Sequence, residues 1–337
     1  MTLDLYPKVA TMREAVLIIF LILFMGCSGD ACKESVAPKK ITLEVDRLEQ
    51  KIFAAKSSRE VVDLLGTYPE FSNHFLHADQ YPSDSILANQ IFGLIQNEAI
   101  DTLYRESLEA FSGMDDLVLE LEESVGRLTF YYPQTQVPKV QTVVTGLYND
   151  LFVSNELIII GMDFFIGQGA SYKPQQIPNY ILKRYDIKHL PANIMQFISS
   201  QYIRTSSEET MLAAMIDYGK SYYLLSKILP RTPGNILIGY TQEEWNNAFD
   251  NDEVIWANFV ENKLLFETNH RIKQKFLGER PSVYEIGNKC PGRIGRWVGW
   301  QIVNAYAEKT GVCVAELMDE AEANKIFKLS KYKPSGS

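Results

Sequence analysis

The chain has few of the residues on which common hydrolases depend. Its histidines are His74, His77, His189 and His270, followed by Phe75, Ala78, Leu190 and Arg271. None precedes a glutamate, so the helical HExxH of a zinc hydrolase is absent. His74 and His77 could share a helix face, but no carboxylate cluster accompanies them, and they read as a packed surface pair. There is no GxSxG elbow, no GxGxxG after a strand and no phosphate-binding P-loop. Cysteine is equally sparse. Cys27, Cys32, Cys290 and Cys313 show no zinc-type spacing. A straight helix between the last two would span ~28 Å, whereas bridged α-carbons lie within ~7 Å, so a Cys290–Cys313 disulfide is not expected. Basic residues are in deficit: 33 Lys+Arg against 42 Asp+Glu give a formal charge of −9. Phosphate binding needs a basic footprint, so nucleic acid is not an expected partner. No internal repeat at a fixed period occurs.

A long spanning segment is also missing. The apolar run Ala15 to Met25 is about half of the ~20 residues a membrane helix needs. It follows Arg13 and leads directly into Gly26-Cys27, the pattern of a bacterial lipoprotein signal. Cleavage before Cys27 would leave its thiol to carry the lipid, with Met12 as an alternative, more typical start. Acyl chains contribute ~0.8 kcal/mol per buried methylene, enough for firm anchoring when several share one cysteine. The expected organisation is residues 1–26 as signal, 27–40 as flexible tether and 41–334 as a single α+β domain. Its first half (41–135) is helical, and 139–334 hold a sheet plus helices.

Hydrophobic residues are 46% and charged residues 22% of the chain, an ordinary globular balance. The segment Leu43 to Ala55 reads as a short amphipathic helix. Further helices are expected from Ser57-Ser58 to Leu65, over Asp84 to Leu94, Asp101 to Phe111 and Met114 to Tyr131. Val140 to Leu147, Leu151 to Val153 and Glu156 to Met162 are β-branched runs separated by turn residues and predict a β-meander. GQGASYKP, Gly167 to Pro174, is a loop leaving the sheet. Helices resume at Pro191 to Ile203, Ser207 to Lys227 and Thr241 to Glu267; Thr241 and Glu244 have capping-box spacing. The fold class is α+β: helix-rich, with a small antiparallel or mixed sheet and packed helices.

The stretch PGRIGRWVGWQIVNAYAEK, Pro291 to Lys309, predicts the organising helix. Pro291 and Gly292 open it, and Gly311 lies just past its end. Ile294, Trp297, Val298, Gln301, Ile302, Ala305 and Tyr306 form one apolar stripe. Interior glycine costs ~1 kcal/mol against alanine, so Gly295 and Gly299 point to close backbone approach. Arg293 and Arg296 sit at the positive end of the helix dipole and call for a carboxylate or an anion, with Glu261 and Glu285 as candidates. Three further residues are candidate ligand contacts. Asp163 lies at a strand end before a glycine-bearing loop. Tyr172 is in that loop. Trp300 falls off the apolar stripe and could stack a sugar or a peptide.

Several blocks in order resemble the gliding-motility lipoprotein GldB family: LIIIGMDFFIGQGASYKP, PNYILKRYDIKHLPANI, YGKSYYLLSKILP, IGYTQEEW, IWANFVENKLLFETN, PGRIGRWVGWQIVNAY and the closing KIFKLSKYKP. The resemblance implies a lipid-anchored envelope protein, outside the cytoplasm, on an inner or outer membrane. It would be non-catalytic, use no cofactor, bind the membrane through Cys27 and support gliding motility or envelope and secretion machinery through protein partners. The resemblance also implies a remote, degenerate likeness to zinc-metallopeptidase (zincin-like) architecture without HExxH. LPANIMQFISSQYI stands where the ligand helix would be. Tyr218, beside Gly219, stands where a glutamate ligand would be. Two alternatives stay open: a metal-dependent hydrolase of unusual ligation, and a glycan- or peptide-binding lipoprotein using Asp163, Tyr172 and Trp300.

Overall fold

The computed structural model describes residues 37–334. The signal segment, the first part of the tether, Cys27 and Cys32 lie outside the described residues.

Strand β1 (Val45–Arg47) runs straight into helix α1 (Leu48–Phe53). The stretch from Leu43 to Ala55 is therefore not one helix. Its first part is drawn into a sheet, where Val140 N–H donates to the Glu44 carbonyl at 2.8 Å. Helices α2 (Ser58–Thr67), α3 (Asp84–Leu94), α4 (Glu98–Ala110) and α5 (Met114–Tyr131) follow. The Ser57 side chain accepts the Glu60 N–H and so caps α2.

Strands β2 (Lys139–Val143), β3 (Leu151–Val153) and β4 (Leu157–Gly161) complete a four-stranded sheet of order β1-β2-β4-β3. β1, β2 and β4 run parallel, and β3 is antiparallel to β4. The sheet is mixed, and the expected meander is corrected: β4, not β3, lies beside β2. The reason lies in LIIIG, which is buried along its whole length. An apolar run covered on both faces belongs in the middle of a sheet. Alternate residues feed two cores. Val143, Leu157 and Ile159 pack with Leu48, Ile52, Val61 and Phe71 on one side. Val140, Ile158 and Ile160 face the larger core on the other.

After β4 come α6 (Asn179–Leu182), α7 (Leu190–Ser200), α8 (Met211–Ile228), α9 (Gly234–Ile238), α10 (Gln242–Asp250) and α11 (Asp252–Glu261). Then follow α12 (His270–Leu277), α13 (Ile294–Thr310), α14 (Val314–Asp319) and α15 (Ala323–Ser330). The Thr241–Glu244 capping box is present. The single helix expected over Thr241 to Glu267 is broken at Asn251 (φ −121°, ψ 20°) into α10 and α11, with a separate turn at Leu264–Phe266.

Helix α13 is the organising element, packed on α8, α12 and α15. It starts later than its sequence suggests, because Arg293 is left-handed (φ 61°) and the chain turns there. Pro291 instead bridges to Ser282. Gly311 (φ 63°) ends the helix as expected. The two long helices α8 and α13 meet backbone to backbone. A β-carbon on Gly299 would overlap the Met215 carbonyl, and one on Gly219 would overlap the Gly299 carbonyl. Lys220 on α8 is wholly buried and donates to the carbonyls of Arg204 (2.5 Å) and Glu320 (2.8 Å). The C-terminal segment is thereby tied to the centre of the fold.

Cys290 is a free, buried thiol, and burial pushes its pKa up to about 12. Cys313 is disulfide-bonded, so the two are not joined to each other, as expected. Among the described residues, no helix is long and apolar enough to cross a membrane.

Candidate functional site

The carboxyl end of β4 delivers Asp163 into a short turn, Met162–Phe164. The side chain is 1% exposed. Its Oδ2 accepts the N–H of Leu147 at 2.6 Å and of Thr145 at 3.3 Å, and so holds the loop that follows β2. Gly146 (φ 75°) and Leu147 (φ 64°) are both left-handed there, which turns their amides toward the carboxylate. Oδ1 has no hydrogen-bond partner among the described residues. Burial raises the Asp163 pKa to about 6, against the pull of the loop amides.

Asp163 lines a cavity of about 330 Å³, together with Gln168, Tyr172, Lys173, Lys183 and Tyr185. Two of the residues singled out in the sequence, Asp163 and Tyr172, therefore share one site. The loop Gly167 to Pro174 forms part of its wall. Ser171 fixes that loop to α4, its N–H and hydroxyl both donating to Glu106, at 3.0 and 2.5 Å. Tyr172 is 44% exposed. Tyr185 donates to Asp150 Oδ2 at 2.6 Å. Lys183 is committed to both oxygens of Glu244, and burial lowers its pKa against that pairing. Lys173, Lys183 and Tyr185 escaped the sequence reading. For Lys183 and Tyr185 the adjacent cations in NYILKRYD were the available signal.

Arg293 and Arg296 do not reach this cavity's lining. They meet Arg184 around one carboxylate, and it is neither Glu261 nor Glu285 but Glu279. Arg184 binds Glu279 through both terminal nitrogens (3.2 and 2.5 Å), with Arg293 at 3.6 Å and Arg296 at 4.0 Å. Burial would raise the Glu279 pKa, but the Arg184 hydrogen bonds and the charges of Arg293 and Arg296 outweigh it and hold it low. Arg293 is buried, donates to the Gly239 carbonyl at 3.1 Å and lies over the Tyr240 ring. Arg296 donates to the Leu277 carbonyl at 2.6 Å and lies over Tyr218. Glu285 serves Arg280 and Lys275 instead. These arginines are structural ties between α13, α12 and the segment bearing Lys183.

Trp300 is corrected as a stacking candidate. It is 5% exposed and packs on Tyr222 (5.4 Å) and Trp245 (5.8 Å). Helix α13 is buried nearly all round, so a position off the expected stripe still faces protein. The histidines do not converge either. His74 stacks on Phe152, His77 meets Tyr148 edge-on, and His189 is buried with its pKa lowered to about 4 by burial. Among the described residues, no group of three or more His, Cys, Asp or Glu is placed to hold a metal ion.

No curated protein and no solved structure matches the chain. A family model does: that of the gliding motility protein GldB matches residues 30–334. The chain belongs to the GldB family, a lipoprotein family of gliding motility.

Proposed function

We propose that the chain is a lipid-anchored envelope protein that serves gliding motility or the associated envelope machinery through protein contacts, without a reaction of its own. The observation that supports this reading is the family match from residue 30 to 334 beside the Gly26-Cys27 signal. The domain hangs from Cys27 on a polar tether, and its helices present their surface to envelope partners.

The anchor is tested by metabolic labelling with a radioactive fatty acid and by detergent-phase partition, on wild type and Cys27→Ala. Label and partition lost only in the variant support the reading. Equal labelling of both overturns the anchoring. Elemental analysis of the purified lipoprotein tests the other half: about one zinc per chain would overturn the non-catalytic assignment.

A further inference from the structure

Cys313 has a partner that the described residues do not contain. It is disulfide-bonded, yet Cys290 is a free thiol. The chain has four cysteines, so only Cys27 and Cys32 are left. These two are not equivalent. A cysteine that carries a lipid on its sulfur is a thioether and has no thiol to oxidise. The choice of Cys32 thus rests on the lipid anchor proposed above. The path of the chain agrees with it. Lys39 N–H donates to the Gly126 carbonyl of α5 at 3.3 Å. Tyr132, which ends that helix, stacks on Tyr202 at 4.2 Å. Two residues on, Arg204 N–H donates at 3.0 Å to the Met318 carbonyl of α14, the helix that Cys313 opens. The chain therefore enters the domain along the layer that holds Cys313, and the stretch from Lys39 back to Cys32 can reach up to ~25 Å.

We propose that a Cys32–Cys313 disulfide staples the tether to the domain and holds its lysine-bearing C-terminal end beside the membrane. Each thiol gives up a proton and an electron as the sulfur–sulfur bond forms. A disulfide-bearing oxidoreductase of the envelope accepts them and is left as a dithiol. Four residues, Ser28 to Ala31, then separate the staple from the lipid. That stretch spans at most ~18 Å, so the tether is cut short. The end of the domain held there is basic. Lys309, in the last turn of α13, donates to the carbonyls of Ser330 (2.6 Å) and Lys331 (3.2 Å). The end of α15 thus lies beside the helix end that leads into Cys313. Residues 323–334 include no carboxylate. Lys325 is paired with Glu320, but Lys328, Lys331 and Lys333 are exposed. On a chain of net charge −9, this end suits anionic lipid headgroups.

The staple is tested by tryptic peptide mapping of the detergent-extracted full chain, alkylated in denaturant before any reduction. Peptide 310–325 is expected to be joined through Cys32 to peptide 27–33, which also carries the acyl chains, with Cys290 alkylated. In Cys32→Ala, 310–325 is expected to be alkylated and the acylation unchanged. Alkylated 310–325 in wild type, or a link that survives in Cys32→Ala, overturns the staple. A Cys32–Cys313 link on an unacylated peptide supports the staple and overturns the anchor alone; a link to Cys27 overturns both. Orientation is read by acetylating lysines with a water-soluble reagent on vesicles of phosphatidylcholine and phosphatidylglycerol. The control is exposed Lys275 on α12, whose Leu277 carbonyl meets Arg296 near the opposite end of α13. Relative to it, Lys328, Lys331 and Lys333 are expected to react several-fold more slowly in wild type than in Cys32→Ala. Equal ratios in the two proteins overturn the membrane-facing assignment.

Discussion

The seam between α8 and α13 gives the sharpest test of how this fold is held together. Gly219→Ala and Gly299→Ala each add one methyl. In an ordinary helix that change stabilises by about 1 kcal/mol. Here the added carbon meets backbone carbonyls of the facing helix, which cannot rotate aside as a side chain can. Relief requires the helices to part, and a gap of 0.5–1 Å already forfeits about a quarter to a half of each van der Waals contact along the seam. Overpacking a core costs roughly 1–3 kcal/mol, and a backbone clash belongs at the upper end. After the helix-propensity gain, each variant should lose about 2 kcal/mol, or roughly 4–8 °C in Tm at ~2–4 °C per kcal/mol. The double variant should lose less than the sum, because one separation accommodates both methyls. Gly66→Ala is the control, since nothing lies within 4 Å of a β-carbon there. Denaturant unfolding followed by tryptophan fluorescence compares the four variants with wild type, with Trp297 and Trp300 on the seam helix itself. If Gly299→Ala is as stable as Gly66→Ala, the close-approach explanation is refuted.

Two further outcomes concern charge. Burial raises the folded pKa of Asp163 to about 6, against 3.8 for an ordinary aspartate. The folded state then binds more protons than the unfolded state between these values, so stability falls as pH rises through that window, by roughly 3 kcal/mol. His189, lowered to about 4, acts in the opposite direction between pH 4 and 6.5. The clean measurement is therefore the stability difference between wild type and Asp163→Asn across pH 4–7; a difference that stays flat defeats the assignment. Glu279→Gln leaves the buried Arg293 guanidinium without its carboxylate. Breaking a buried pair costs ~3–5 kcal/mol, and the 36% exposure of Glu279 reduces this to about 2. Because the Glu279 pKa is held low, its contribution is present above the unfolded carboxylate range and lost as acid protonates it. The variant should lack that acid-side loss in urea titrations run from neutral to low pH, and an unchanged loss would count against the cluster.

What the sequence made legible was mostly local. Ser57 before α2 and the Thr241–Glu244 box announce helix starts through bonds made within one turn. Asp163 and Tyr172 were found because a strand end followed by a glycine loop is a local pattern with a spatial meaning. β1 was missed because Val45–Arg47 becomes a strand only by pairing with Val140–Thr142, far along the chain. The placing of β4 beside β2 was missed for the same reason, and a meander was expected instead, although the wholly apolar LIIIG already implied a strand with no solvent face. Trp300 was misplaced because periodicity assumes that a helix has an outside, and α13 has very little. Glu279 was passed over because the choice of an arginine's partner is made by tertiary packing, and no spacing in the sequence brings residue 279 to 184, 293 and 296 together.

The anchoring of Lys220 to the carbonyls of Arg204 and Glu320 bears on the order in which the chain matures. Helix α8 packs on α7, which precedes it, but finds its main neighbour, α13, and also α15 only in the last stretch to leave the ribosome. Until that stretch is made, the lysine has lost one of its two carbonyls and the glycine face of α8 has no cover. Low-contact local helices form early, while the centre waits for distant segments. A nascent chain of this design stays open until it is nearly complete.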